Sequence, residues 1–533
     1  MRLSAPSTRT ALFAGLKSYV RRSVTVDTRA LAAFRMFAAL LILADVTLRS
    51  RNFSFYYTDD GAVSQDLAQL FSGTDAFSVF FWTQDPQLIA ALFVLHAVVA
   101  LFLLVGYQTR IALVVSFLFV ISLDHHNPFV LSYADTLFRM LLFWAIFLPL
   151  GERWSIDALQ ASRPPRQAVA SLATAAILVQ MVTMYFVNAM HKFPSSLWQS
   201  GEAAVYVFGI DEMTFLIADH LRDFPLFLEF GGLMWFYLLL ASPLMLVLHD
   251  RHRMMYAFLL MGGHLAFAVT VRIGAFAYVG ILGLLLFLQL PFWSDAKATF
   301  RFLLPGDDPV GEVHRRIVRT VTPVAEALPR LHPDIPGERE VRQKLSVLAV
   351  AFAIFFVLII PLAGMGAEGA GIDDHPIPEE TEAAAFFDNF GVSQPDWSIF
   401  AGPHPRSIDR WYAFPAKTSD GDIIDIYNDR EMTWERPYHE LQRQHDAYRE
   451  RFWMNSVQSA GQDGWVSTAL GEYLCENHAA DLEEIHMWEI RERITPATID
   501  SPEDRDVRYN EIHRHACDGQ PSDPLVEPPE SDW

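Results

Sequence analysis

Cysteine is nearly missing from this chain: its 533 residues include two, Cys475 and Cys517. That excludes a disulfide-rich scaffold and a multi-cysteine zinc site. Cations are also in deficit, 41 lysines and arginines against 62 acids, so the phosphate neutralisation that nucleic-acid binding requires is not expected. No Walker loop, dinucleotide fingerprint, HExxH motif or solenoid-length repeat stands out, and no metal site is expected. What is plentiful is apolar surface. Hydrophobic residues make up 52% of the chain and aromatics 13%, which excludes intrinsic disorder. A mean hydropathy of +0.19 beside a net charge of −21 does not describe one uniform phase; it points to apolar membrane segments joined to a charged soluble part.

A bilayer span needs about 20 mostly apolar residues, because backbone groups in hydrocarbon must be satisfied within the helix. Nine runs qualify: residues 30–48, 87–106, 111–124, 133–150, 168–190, 228–248, 254–271, 273–293 and 345–363. The expected fold is therefore a polytopic all-α membrane bundle of about nine helices, eight within a 30–293 domain and one at 345–363. Lysine and arginine mark the cytoplasmic loops. They crowd the basic N-terminus at 1–29, recur at Arg110, Arg153, Arg163, Arg166, Arg251 and Arg253, and fill the connection at 294–344. This alternation predicts a multi-pass protein of the cell membrane with its N-terminus cytoplasmic and its C-terminal part extracytoplasmic. Residues 1–29 lack the long apolar core and small-residue cleavage site of a secretory signal, so the first span is read as a retained anchor.

From 372 to 533 the composition changes. This stretch holds 35 acids against 13 lysines and arginines, a net charge of −22, so the rest of the chain is close to neutral. An α+β domain is expected there: short strands around Trp397 to Tyr427, then helix-like spacing from Tyr438 to Arg493. Such an acidic surface suits high ionic strength, where self-repulsion is screened, and a halophilic source is the matching expectation.

Several residues carry candidate chemistry. Arg35 and Asp45 lie inside the first span, where ionised groups need a partner or water; they either line a polar cavity or pair structurally, with Asp135 and Arg139 as candidate partners. The stretch Tyr185-Phe186-Val187-Asn188-Ala189-Met190-His191-Lys192, leading into Trp198, is the most informative. An amine at the outer end of a span beside aromatic surface can act as a base when desolvated. The alternative is that Lys192 snorkels to the interface above an aromatic belt. His264 and His96 are intramembrane histidines that read as packing residues or ligands, and adjacent His125 and His126 diverge too far to share a metal unaided. Cys475 and Cys517 are a candidate disulfide or a pair of buried thiols. Trp397, Trp411 and Trp434, with Pro395, Pro403, Pro405 and Pro437, form either a recognition surface or a core.

Four stretches together resemble the horizontally transferred transmembrane (HTTM) domain family, related to vitamin K-dependent gamma-carboxylase. They are Phe34-Arg35-Met36-Phe37 through Leu43-Ala44-Asp45; Tyr56-Tyr57-Thr58-Asp59-Asp60-Gly61; Tyr185 to Lys192 with Trp198; and His264-Leu265 through Ile273-Gly274-Ala275-Phe276-Ala277-Tyr278-Val279. The tail, with Phe400-Ala401-Gly402-Pro403, Trp411-Tyr412 and Tyr473-Leu474-Cys475, is similar to the extracytoplasmic domain of prokaryotic members. For the carboxylase branch the resemblance implies a definite chemistry. A lysine amine deprotonates a reduced menaquinone- or vitamin K-like quinol, oxygen converts the quinol to a strong base, and that base removes a glutamate γ proton so that the carbanion captures carbon dioxide. Lys192 stands at the matching lysine, with His191 and His264 beside it as candidate catalytic residues, while His191 replaces the second lysine of the carboxylase pair.

Two functions are therefore expected to compete. One is a quinol-dependent carboxylase or oxidase-type enzyme whose outward-facing site takes a protein or peptide substrate. The other is a non-enzymatic assembly, secretion or immunity factor, embedded in the lipid bilayer and acting on a partner through its tail.

Overall fold

The computed structural model describes residues 8–73, 75–303, 308–329, 338–369, 382–401, 406–460, 464–519, 521 and 524–532. The expected start of the tail at 372, and Gly402, Pro403 and Pro405, lie outside the described residues.

Helices dominate the first two thirds. Asp27 caps the first span by accepting from the Arg29 amide, and Asp85 caps the Pro86–Val105 helix, whose C-terminus is closed by left-handed Gly106. Two short antiparallel strands, β1 (Thr25–Asp27) and β2 (Ala168–Ala170), tie the start of the first span to the start of the Leu172–Lys192 helix.

Nine spans were expected; among the described residues five helices are long and apolar enough to cross a membrane. They are Thr28–Tyr57, Pro86–Val105, Thr109–His126, Leu172–Lys192 and Gln343–Gly366. A sixth arises if Phe276–Phe287 and Leu290–Leu303, bent by 101°, count as one. The discrepancy has local causes. The 133–150 run yields a helix of 13 residues, Tyr133–Ala145, which at 1.5 Å per residue reaches only about 20 Å before Pro149. The 228–248 run stops at Leu240, ahead of Pro243. The 254–271 run lies in Asp250–Phe267, which begins with the polar Asp250-Arg251-His252-Arg253 and ends before Arg272. Pro291 opens the helix beyond the bend.

The tail is a mixed α+β unit. Its sheet orders as β3 (Ile408–Ala413), β7 (Leu482–Arg493), β4 (Pro415–Thr418), β5 (Ile423–Asp425) and β6 (Arg430–Glu431), with β8 (Val507–Ala516) also paired to β7. All pairings are antiparallel. The twelve-residue β7 is central: β8 runs along one edge, while β3 and β4 share the other. Helices Tyr448–Ala460 and Trp465–Asn477 supply the α layer. The helix-like spacing expected from Tyr438 to Arg493 is corrected by β7. Its Glu484, Glu489 and Glu492 are buried, and a bulge falls at Met487/Trp488, so polar residues at covered positions blur the alternation a strand normally shows.

Cys475, at the end of a tail helix, is disulfide-bonded to Cys517, just beyond β8, across a sequence separation of 42. Chain-entropy arguments for a loop of that size put its contribution near about 4 kcal/mol. The double substitution Cys475→Ser with Cys517→Ser is expected to lower the thermal midpoint markedly, whereas reductant should leave the variant unmoved. A variant that melts with the wild type would show that the bridge adds nothing.

The tail is docked against the helical part. Arg449 bonds Asp45 (2.5 Å) and Asp135 (2.9 Å), Arg436 and Arg505 reach Asp211, Tyr448 donates to the Ile273 carbonyl, and Tyr133 donates to Asp396.

Candidate functional site

The Leu172–Lys192 helix starts on a reciprocal cap between Ser171 and Thr174 and ends two residues before Pro194. Asn188 and Lys192, one turn apart, share a face, and Tyr185 precedes them on the same side. That face turns inward. Lys192 is 2% exposed. Its Nζ donates to Asn188 Oδ1 (2.7 Å) and to the Ile399 carbonyl, and it lies 4.7 Å from the centre of the Trp198 ring. Among the described residues no carboxylate pairs with it.

The acceptors come from a tail segment laid over the helix end. The Trp397 and Ile399 carbonyls accept from Asn188 Nδ2 (2.7 and 2.9 Å), and the Phe400 carbonyl accepts from Trp198 Nε1 (3.0 Å). Trp397 and Phe400 both hold left-handed backbone, φ 53° and 49°, a conformation that costs energy for large side chains, in the segment whose Trp397, Ile399 and Phe400 carbonyls meet Asn188, Lys192 and Trp198.

Beside Lys192 opens a cavity of about 250 Å³. Its walls are apolar and aromatic, among them Met184, Phe227, Trp235, Phe267 and Phe276, and Lys192 is its one charged group that could titrate as a base. A neutral amine has two N–H bonds, and Asn188 and Ile399 provide two acceptors, so that form is satisfied with its lone pair left over. An ammonium would direct its third proton to the π face of Trp198. The site is thus built to hold one nitrogen in either state with no buried counter-ion.

The other expected residues fall in different places. His264 is buried behind Tyr185, whose hydroxyl lies 2.8 Å from its Nε2, and its Nδ1 has no partner among the described residues. The ring leaves no room for a Cβ at Gly280, which would sit 2.4 Å away. His191 is exposed and does not join Lys192. Arg35 is fully buried and, among the described residues, bonds main-chain carbonyls alone, those of Leu104, Leu150, Arg153 and Trp154; neither Asp135 nor Arg139 is its partner there. Asp45 and Asp135 belong to a separate network. Arg49 bonds Asp45 (2.8 Å) and Asp124 (2.6 Å), Arg139 bonds Asp124 (2.8 Å), and tail Arg449 closes it. Among the described residues no group of three potential ligands could hold a metal ion.

A second ionic cluster joins the loop at Asp211-Glu212 to the tail. Burial would raise the Glu212 carboxyl, yet Arg406 and Arg410 beside it hold it well below the usual carboxylate range. Sequence reasoning missed Asp124, Arg436, Arg449 and Arg505. The three arginines lie in polar stretches that read as solvated surface, Asp124 closes the apolar 111–124 run, and only the tertiary fold brings these charges into buried clusters.

Apolar helices of spanning length around an internal polar site define a multi-span membrane protein. The family model for the HTTM domain matches residues 24–293, just over half of the chain, and the chain belongs to that family. The relation to vitamin K-dependent gamma-carboxylase read from the sequence comes with this membership. No curated protein and no solved structure matches it.

Proposed function

We propose that this HTTM-family protein is a membrane enzyme that uses Lys192 as a proton-accepting base on a reduced quinone bound in the adjoining cavity. The observation that carries the reading is a fully buried amine, without a carboxylate partner, at the wall of an apolar cavity. A structural lysine of this kind would be better placed snorkelling to water. The lining suits a flat aromatic head group: aromatic walls for ring stacking, one nitrogen for a hydroxyl, and little else polar to satisfy. When bound, such a quinol would supply an acidic hydroxyl and the reducing equivalents for oxygen-dependent chemistry.

The chain's own residues do the rest. Asn188 and the Ile399 carbonyl fix Nζ, Trp198 stabilises its protonated form, and the tail segment over the helix end excludes water. The basic-loop pattern argues that the face carrying the tail is extracytoplasmic, where a protein or peptide substrate would meet the site. A non-enzymatic factor that acts through a free tail finds less support, because here the tail supplies the groups that hold Lys192.

The test is chemical. Purified protein is extracted and its lipids are searched for a naphthoquinone. Gly231 lines the cavity, and a Cβ there meets nothing within 4 Å, so Gly231→Phe is expected to fill the space and expel the quinone without unfolding the helix. Lys192→Ala should retain the quinone. Absence of quinone from the wild type, or equal amounts in the Gly231 variant, would refute the site.

A further inference from the structure

A larger cavity, about 580 Å³, lies away from Lys192 where the end of the first span meets the tail. One wall is aromatic: Phe55 packs edge-on against Tyr56 (4.6 Å), Tyr473 (4.9 Å) and Trp453 (5.9 Å). Facing it are the carboxyls of Asp446 and Glu450. Glu450, half-buried, differs from the fully buried acids of the ion-pair clusters. Asp124, Asp211, Glu212, Asp409 and Glu492 each pair with at least one arginine. Glu450 receives the Asp446 amide (2.7 Å) and the Tyr427 hydroxyl (3.3 Å), and no cation pairs with it among the described residues. The cavity therefore combines a carboxyl without a paired cation and a wall of packed aromatic rings.

We propose that this cavity binds a primary alkylammonium group, with the Glu450 carboxylate as counter-charge and the aromatic wall as its cation–π surface. Ring faces and a desolvated carboxylate together recognise an organic cation. A lysine side chain has this chemistry, and so does the ethanolamine of a lipid head group.

Arg51 is the cation on the lining and is exposed, while Arg272, whose charge also reaches Glu450, is bonded to the Gln442 carbonyl. Asp446, Tyr427 and Tyr56 are the other titratable groups near Glu450. Burial, with Asp446 adding to it, pushes the Glu450 carboxyl up to about 7. A cation that needs the ionised form should thus bind more tightly as pH rises from about 6 to about 8.

The experiment titrates the full-length protein in detergent, by calorimetry or tryptophan fluorescence, with three probes: N-acetyl-lysine methylamide, its neutral Nε-acetylated analogue, and glycerophosphoethanolamine. At least one charged amine is expected to bind, the neutral analogue about tenfold more weakly or worse, and Glu450→Gln should reduce binding by about tenfold or more and flatten its pH dependence. Binding of the lysine probe alone assigns a polypeptide source, and of the ethanolamine probe alone a lipid source. Equal binding of charged and neutral lysine probes, or no amine binding at millimolar concentration, would overturn the proposal. So would a Glu450→Gln protein that binds like wild type. Should that variant fail to fold, the charged-to-neutral comparison on the wild type decides.

Discussion

Replacing Lys192 by alanine is expected to abolish a quinol- and oxygen-dependent activity, a fall of about 10²–10⁴-fold for loss of a positioned general base, while the protein still accumulates and folds. Folding should survive because the Ile399 carbonyl keeps its bond to Asn188 Nδ2 at 2.9 Å when the amine is removed, and Asn188 also holds the Trp397 carbonyl. The discriminating variant is Lys192→Arg. A guanidinium keeps the positive charge and several donors but does not release its proton at any working pH, so a base is lost while a fixed cation is retained. If Lys192 serves as a base, the arginine variant is as inactive as the alanine one. If it serves only to stabilise negative charge, arginine restores much of the rate. Quinol oxidation by the purified variants separates these outcomes, and normal turnover by Lys192→Ala would end the assignment altogether.

How much of this was legible beforehand follows from where the signal resides. The Tyr185 to Lys192 string could be read because chemistry and pattern coincide on one continuous helix: a long apolar run ending in asparagine and lysine. The family was legible for the same reason, through ordered strings spread over residues that the HTTM model matches. Nine spans were expected where five or six helices of spanning length stand among the described residues, because an apolar run records burial as readily as membrane contact. Tyr133–Ala145 sits in the middle of the bundle, with Leu137, Met140 and Leu141 fully buried, and that packing alone accounts for its apolar composition. The groups that complete the lysine site were invisible. Ile399 and Phe400 act through main-chain carbonyls, which any residue carries, and they lie about 200 positions away from Lys192 and Trp198. Arg35 and Asp45 were recognisable as costly intramembrane charges, but not their solutions: backbone carbonyls for one, and for the other Arg49 on the same helix together with an arginine from the tail.

That dependence on the tail leads to the second large effect. Arg505→Met is expected to destabilise the protein by about 3–5 kcal/mol, the usual consequence of stranding buried charge. Arg505 has no exposed side-chain surface. Its Nη1 lies 3.1 Å from Asp211 and Asp409 and 3.3 Å from Glu492, and its other nitrogens bond the carbonyls of Gly209, Thr498 and Ile499. Asp211 belongs to the helical part, and Asp409 and Glu492 to adjacent strands β3 and β7, so this one side chain joins the two. Without it, three carboxylates remain for Arg436 and Arg222. Arg505→Lys keeps the charge but cannot reach three acids and three carbonyls at once, so only partial recovery is expected. The pH dependence gives an independent check. Burial and the neighbouring Asp211 already raise Asp409 from 3.8 to about 7. Removing a cation raises it further. An acid whose folded value exceeds its unfolded value takes up a proton on folding, so stability is gained as pH falls between the two. The Arg505→Met deficit should therefore be larger at pH 8 than at pH 5. Adding Asp409→Asn, which removes one stranded charge, should recover part of it and flatten its pH dependence, and the double-mutant cycle measures the coupling directly. Thermal unfolding across pH, with limited proteolysis to report release of the tail, supplies the readout. A deficit below about 1 kcal/mol that does not change with pH would mean that Arg436 and Arg222 suffice to neutralise the cluster, and that Arg436, Arg406, Arg410 and Arg449 hold the tail to the membrane part without Arg505.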